Sequence, residues 1–197
     1  MVIMRNFRTG FTYIELMVVM GIITLLATMG GYTWITLSNR AKATKITTDF
    51  RKIEGALQAW KAYTNGQYPN DGPTGSEIIN FKNYPSIYPE YLSQIPVDSY
   101  QNTYWYDNDP EVAYDSNPSG CTEDLNGYNN VSGVTPKIES GVNVYLYTGT
   151  KYNYYIKIAP IIDKSVDSGD GACKGKFRWS LGPGRQNALF YLISPTS

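Results

Sequence analysis

Glu15 is a single carboxylate inside an apolar run that begins at Phe11 and carries no charge from Leu16 to Leu37. At about 1.5 Å of helical rise per residue, those 22 residues reach about 33 Å, enough to cross a bilayer core. A carboxylate near mid-membrane costs about 3 kcal/mol on insertion scales. Glu15 sits about one helical turn inside the run, where the cost is lower. It still requires a partner once the helix is packed away from water. An unpaired buried carboxylate is strongly unfavourable, whereas a paired one is near neutral overall. The chemistry that Glu15 suggests is therefore an ion pair that sets register more than strength.

The rest of the chain offers little reactive chemistry. It has no histidine, which removes the commonest general base and any Ser-His or Cys-His arrangement. Phosphate-binding loops, dinucleotide fingerprints and zinc spacings do not occur in it, so no enzymatic activity is expected. Two acidic groups stand out: Asp163, Asp167 and Asp170 beside Gly169 and Gly171, and Asp107, Asp109 and Asp115 earlier in the chain. Calcium favours such oxygen-rich loops, but neither group has the ordered spacing of a calcium loop. They are expected to be solvated turn carboxylates, with calcium as the competing reading and no other cofactor. Cys121 and Cys173, 52 positions apart, read as one disulfide in an oxidising compartment, against the alternative of two unrelated buried thiols. Closing that loop is worth about 4 kcal/mol in the chain-entropy view. Lys+Arg and Asp+Glu both number 17, so charge gives no sign of a nucleic-acid partner.

These residues need elements to place them. From Ala41 to about Tyr63 there is no proline, and Ile46, Phe50, Ile53, Leu57 and Trp60 form one apolar stripe at helical spacing. The stripe is expected to dock the helix onto a C-terminal sheet. Asn65-Gly66 stops the helix, with Pro69 beyond. Gly21 and Gly30-Gly31 are its weak points within the apolar half. Residues 66–141 are dense in turn signals, and Ser76 to Phe81 reads as a short helix capped by Thr74 or Ser76. Beyond them, Val142 to Tyr147 and Tyr152 to Ile158 read as two strands joined by Thr148-Gly149-Thr150-Lys151. Lys176 to Leu181 and Ala188 to Ile193 read as a second hairpin around Gly182 to Arg185. The 18 tyrosines fit a half-buried sheet with an aromatic surface. The fold class expected is α+β: a long N-terminal α-helix, half membrane-spanning and half amphipathic, packed on an antiparallel β-sheet.

The segment Arg8-Thr9-Gly10-Phe11-Thr12-Tyr13-Ile14-Glu15-Leu16-Met17-Val18-Val19 resembles the processing signal of type IV pilins and pseudopilins. The resemblance implies that a prepilin peptidase cuts between Gly10 and Phe11 on the cytoplasmic side and methylates the new amino terminus. Glu15 then becomes the fifth residue of the mature chain, and an ammonium appears on Phe11 that Glu15 of a staggered neighbouring helix can meet. Loss of the leader removes Arg5 and Arg8, leaving 15 basic residues against 17 acidic ones. Arg40, Lys42, Lys45, Arg51 and Lys52 follow the apolar run, so a naive charge count favours the opposite orientation. Long domains translocate largely regardless of that charge.

Further on, Gly66-Gln67-Tyr68-Pro69, then Ile95-Pro96-Val97-Asp98 and Asn102-Thr103-Tyr104, resemble the segment after the helix in major pseudopilins of type II secretion. Thr103 replaces the usual proline there. Ser180-Leu181-Gly182-Pro183-Gly184 resembles the family's Ser-Leu-Gly-x-Asp-Gly ending, with Gly184 in place of the aspartate. Such pseudopilins bind calcium near their C-terminal loops. The implied layout is a leader at 1–10, a membrane and polymerisation helix at 11–37, its amphipathic continuation at 38–65, a connecting region at 66–141 and a sheet at 142–197. The implied function is that of a structural subunit of a type IV pilus or pilus-like filament. Its partners would be copies of itself, the prepilin peptidase, inner-membrane assembly machinery and, before assembly, membrane lipid. It would start as a single-pass precursor in the cytoplasmic membrane and end in an extracytoplasmic filament at the cell surface. The alternative is a membrane-anchored surface-binding module with a Tyr-rich outer domain.

Overall fold

A computed structural model describes residues 10–69, 79–80, 87, 89–109, 141–172, 175–181 and 187–194. The elements are α1 (Tyr13–Tyr63), β1 (Ile79–Asn80), β2 (Tyr104–Asp109), β3 (Gly141–Tyr147), a 3-10 turn at Gly149–Lys151, α2 (Tyr152–Val166), β4 (Phe177–Ser180) and β5 (Ala188–Ser194). The chain divides into two units, Met1–Ser38 and Asn39–Ser197. In the first unit the apolar side chains of α1, from Ile14 through Leu26 and again at Trp34 to Leu37, are largely exposed. By length and composition α1 is able to cross a membrane.

In the second unit α1 turns amphipathic. Ile46, Phe50, Ile53 and Leu57 are buried, and Trp60 packs beside them half-buried, as their spacing of three and four residues requires. The helix ends as a Gly-capped terminus: Asn65 and Gly66 have φ of 55° and 85°, and Gly66 N donates to Lys61 O at 3.0 Å. Two bonds then tie the following segment to the sheet. Pro69 O accepts from Tyr106 OH at 2.7 Å and from Asn108 Nδ2 at 2.9 Å.

The five described strands lie in the order β1-β2-β3-β5-β4, and every neighbouring pair is antiparallel. Alternation along each strand sends Tyr104 and Tyr106, Val142, Val144 and Leu146, Phe177 and Trp179, and Leu189, Tyr191 and Ile193 into one core with the α1 stripe. Phe50 is at its centre. Its ring stacks on Tyr191 at 4.9 Å and meets Tyr104 and Phe177 edge-on at 5.2 and 6.2 Å. The opposite face carries a smaller cluster of Tyr145, Ala188 and Phe190, with Trp105 against it. Several tyrosines expected at an aromatic surface are therefore core residues: Tyr104, Tyr106, Tyr145, Tyr155 and Tyr191 are all buried.

Three local expectations change. Tyr152 to Ile158, expected as a strand, is the first half of α2, and Thr148 to Lys151 leads into a 3-10 turn instead of a hairpin. The aromatic and β-branched residues there imitate a strand, but the buried set is Tyr155, Ile158, Ala159 and Ile162, a helical spacing that appears only when the window runs past Ile158. The region 142–197 is thus a sheet with one helix folded against it. Ile79-Asn80, expected within a short helix, forms edge strand β1 against Tyr106 and Trp105; residues 76–78 and 81 lie outside the described residues. The sheet also takes β1 and β2 from the connecting region. By contrast, β4 and β5 pair as the hairpin signal indicated.

Phe50→Ala empties the centre of the seam between α1 and the sheet. It is expected to cost about 3–5 kcal/mol, read as a lower urea midpoint for the detergent-solubilised chain. A loss under about 1 kcal/mol would mean that the seam is held elsewhere.

Candidate functional site

The tip of α1 is a capping box. Thr12 is the residue before the helix, and its N–H and hydroxyl both donate to Glu15 Oε2, at 2.9 and 2.8 Å. In return Glu15 N donates to Thr12 Oγ1 at 3.3 Å, and Leu16 N bonds Thr12 O at 3.2 Å. Thr-x-x-Glu ahead of an apolar run is the sequence signature of this motif; Thr12 was not singled out above although that signal was present. The helix's own N-terminal amides also favour a carboxylate here. Glu15 thus has local donors at the start of an otherwise uncharged segment. Phe11, next to Thr12, is 82% exposed, and Gly10 has nothing within 4 Å of where a Cβ would stand.

A second polar centre forms where the turn after Ile95-Pro96 meets α2. Asp98, 1% exposed, accepts from Tyr100 N at 2.8 Å, Asn102 N at 2.7 Å and Asn102 Nδ2 at 3.3 Å. The Tyr155 hydroxyl also donates to Asp98 and accepts from Asn102 Nδ2 at 2.7 Å. Alongside, Tyr104 OH donates to Asp49 at 3.2 Å, Lys45 pairs with Asp49 at 3.6 Å, and Lys45 Nζ donates to Val97 O. Glu54 takes Lys176 at 2.6 Å and Tyr191 OH at 2.8 Å. Burial, reinforced by the neighbouring carboxylate, raises the Tyr104, Tyr155 and Tyr191 phenols above their ordinary range. They remain protonated donors. These carboxylates hold the fold, each accepting from side-chain or turn donors of the same domain.

The acidic loop runs from the end of α2 to β4. Asp163, Asp167 and Asp170 each bring one carboxylate oxygen within 4.8 Å of the others. Asp163 is not a solvated turn carboxylate as expected: it is 3% exposed, and its Oδ2 accepts from Gly171 N at 3.0 Å. Asp167 Oδ2 accepts from Phe177 N at 2.8 Å. Burial, together with the Asp167 carboxylate beside it, pushes the Asp163 carboxyl up to about 8. The buried Oδ1 atoms of Asp163 and Asp167 have no hydrogen-bond partner. That is a donor set that fits a hard divalent cation. Of the other acidic group, Asp107 and Asp109 lie in β2, while Asp115 lies outside the described residues. Cys121 and Cys173 lie outside them as well.

Asp98→Ala strands two backbone N–H groups and the Tyr155 hydroxyl, and is expected to cost about 3 kcal/mol or more, whereas Tyr155→Phe removes one bond to a charged acceptor and one from Asn102 Nδ2, which keeps Asp98 as a partner, and should cost about 1.5–3 kcal/mol. Denaturant unfolding of both variants decides the matter. A smaller loss for Asp98→Ala than for Tyr155→Phe would contradict its place as the hub.

Over 108 residues the chain is 32% identical to the type II secretion system core protein G of Pseudomonas aeruginosa, a match that covers 52% of this chain and 75% of that protein. No family model matches the chain, and no solved structure does. Identity at that level across three quarters of the relative, joined to the apolar helix at the start and the α+β domain behind it, shows that the chain belongs to the pilin and pseudopilin family: it is a structural subunit of a pilin-like filament and not an enzyme.

Proposed function

We propose that the chain is inserted as a single-pass precursor in the cytoplasmic membrane and is cut by a prepilin peptidase between Gly10 and Phe11. It is then methylated on Phe11 and polymerised with copies of itself by inner-membrane machinery into an extracytoplasmic filament. The relative at 32% identity is a secretion-system core protein, which favours a secretion pseudopilus over a surface fimbrium. The observation that carries the reading is the position of Glu15: a carboxylate in the first turn of a helix whose apolar side chains, from Phe11 to Leu26 and again at Trp34, Ile35 and Leu37, are exposed. Lipid covers those side chains in the precursor, and neighbouring helices cover them in the filament.

The capping box explains how the carboxylate is tolerated before assembly. Thr12 satisfies Glu15 Oε2 within the same chain. Cutting at Gly10 then adds a cation at Phe11, and in a staggered stack each Glu15 meets the ammonium of an adjacent copy. The pair contributes little net stability but penalises every register that leaves a charge unpaired.

Glu15→Ala in the native host is expected to leave insertion and processing intact and to lower filament yield at least about tenfold, equivalent to about 1.4 kcal/mol in assembly. The readouts are the electrophoretic shift of the processed chain and the mass of sheared filaments. Normal yield from the variant would contradict the proposal.

A further inference from the structure

The uncharged run of α1 ends at Leu37, and the first cations after it are Arg40 and Lys42. Trp34, near the end of that run, is 76% exposed, and tryptophan collects where hydrocarbon gives way to headgroups. Lys42 follows Leu37 by five positions in the same helix, about 7.5 Å at helical rise. The polar layer on each side of a bilayer core is about 5–7 Å thick, and a lysine side chain snorkels further. A run that spans the bilayer therefore leaves Lys42 within reach of the headgroups.

Within the second unit Lys42 belongs to a cluster. Its Nζ donates to Tyr100 OH at 3.1 Å and lies 5.2 Å from the centroid of that ring. Lys151, at the start of α2, holds its Nζ 5.3 Å from the same centroid. One ring thus collects two ammonium groups from distant parts of the chain, and an aromatic face is a weak partner for two like charges. Among the described residues no carboxylate pairs with either lysine. The ion pairs there join Lys45 to Asp49 and Lys176 to Glu54, and the first turn of α2 has no acidic residue. Asp98, close by in sequence, is buried and engaged by Tyr100 N, Asn102 N and the Tyr155 hydroxyl. Tyr154 widens the cluster outward: its ring lies 5.3 Å from that of Tyr100 and it is 56% exposed.

We propose that Lys42, Lys151, Tyr100 and Tyr154 bind the headgroup of an anionic phospholipid in the extracytoplasmic leaflet, holding the domain on the bilayer until the subunit enters the filament. This assignment rests on α1 being the membrane span of the precursor, as proposed above. The two ammonium groups neutralise the lipid phosphate. The tyrosines, apolar in the ring and polar at the hydroxyl, suit the boundary at which that phosphate lies. Each lysine near an anionic bilayer surface strengthens binding about fivefold.

The test reconstitutes the full chain in lipid nanodiscs of phosphatidylcholine, alone or mixed with phosphatidylglycerol. Lysine acetylation, followed residue by residue by mass spectrometry, reads the site, and Lys164, exposed in the last turn of α2, is the internal control. Phosphatidylglycerol is expected to slow the labelling of Lys42 and Lys151 at least about fivefold and to leave Lys164 unchanged. It should also raise the melting temperature of the parent but not that of the double variant Lys42→Gln, Lys151→Gln. The double variant Lys42→Arg, Lys151→Arg keeps both charges and should keep the rise. Equal labelling of the two lysines in both discs would overturn the proposal, as would a rise that survives in the glutamine variant. Inorganic phosphate added to the neutral discs separates a headgroup from a free anion, and protection as strong as that from phosphatidylglycerol would refute the lipid assignment. A chain that enters neither disc sinks the membrane reading of α1 together with this proposal, whereas entry into both without protection sinks the proposal alone.

Discussion

A carboxylate at the head of an uncharged helix is tolerated only while something donates to it, and this requirement governs the first unit of the chain. Within one subunit the donors are the N–H and hydroxyl of Thr12. That arrangement lets Glu15 enter an apolar environment at a moderate cost, because it sits in the first turn and faces the positive end of the helix. It also leaves the carboxylate at the extreme tip, one turn from the residue that proteolysis would convert into a cation. In the filament proposed above, the capping box would make the carboxylate harmless in the monomer while leaving it selective in the polymer.

The second unit follows a different constraint, the burial of polar side chains beside an apolar seam. Phe50 and its neighbours supply the apolar half, Phe50 stacking on Tyr191 and meeting Tyr104 edge-on. Tyrosines supply the other half, since a phenol brings a large apolar ring and one hydroxyl that must find an acceptor. Asp49, Glu54 and Asp98 are those acceptors. The high tyrosine content is therefore a core property as much as a surface one. It explains why so many carboxylates approach the interior of a chain with no net charge.

What was legible in the sequence was what depends on near neighbours. Glu15 and its apolar run, the stripe from Ile46 to Trp60, the Asn65-Gly66 stop and the β4–β5 hairpin all follow from spacing within one element. Helix α2 was hidden because Tyr152 to Ile158 is rich in residues that favour strands, and its helical period emerges only with Ala159 and Ile162. Strand β1 was hidden because two residues carry no period, and its identity comes from pairing with β2. The Asp98 hub joins residues up to 57 positions apart, which no local pattern displays. The acidic triad was visible as a group of residue types, but its burial depends on where α2 ends against β4. Thr12 is the instructive omission, since its motif was complete in four residues.

The account stands or falls on the free amine that Glu15 is held ready to meet. Intact-mass measurement with amino-terminal sequencing of the protein from its native host tests this directly. The account predicts a chain that begins at N-methylated Phe11 and lacks Met1 to Gly10. A mature chain that retains the first ten residues, with no methyl group on Phe11, would contradict it.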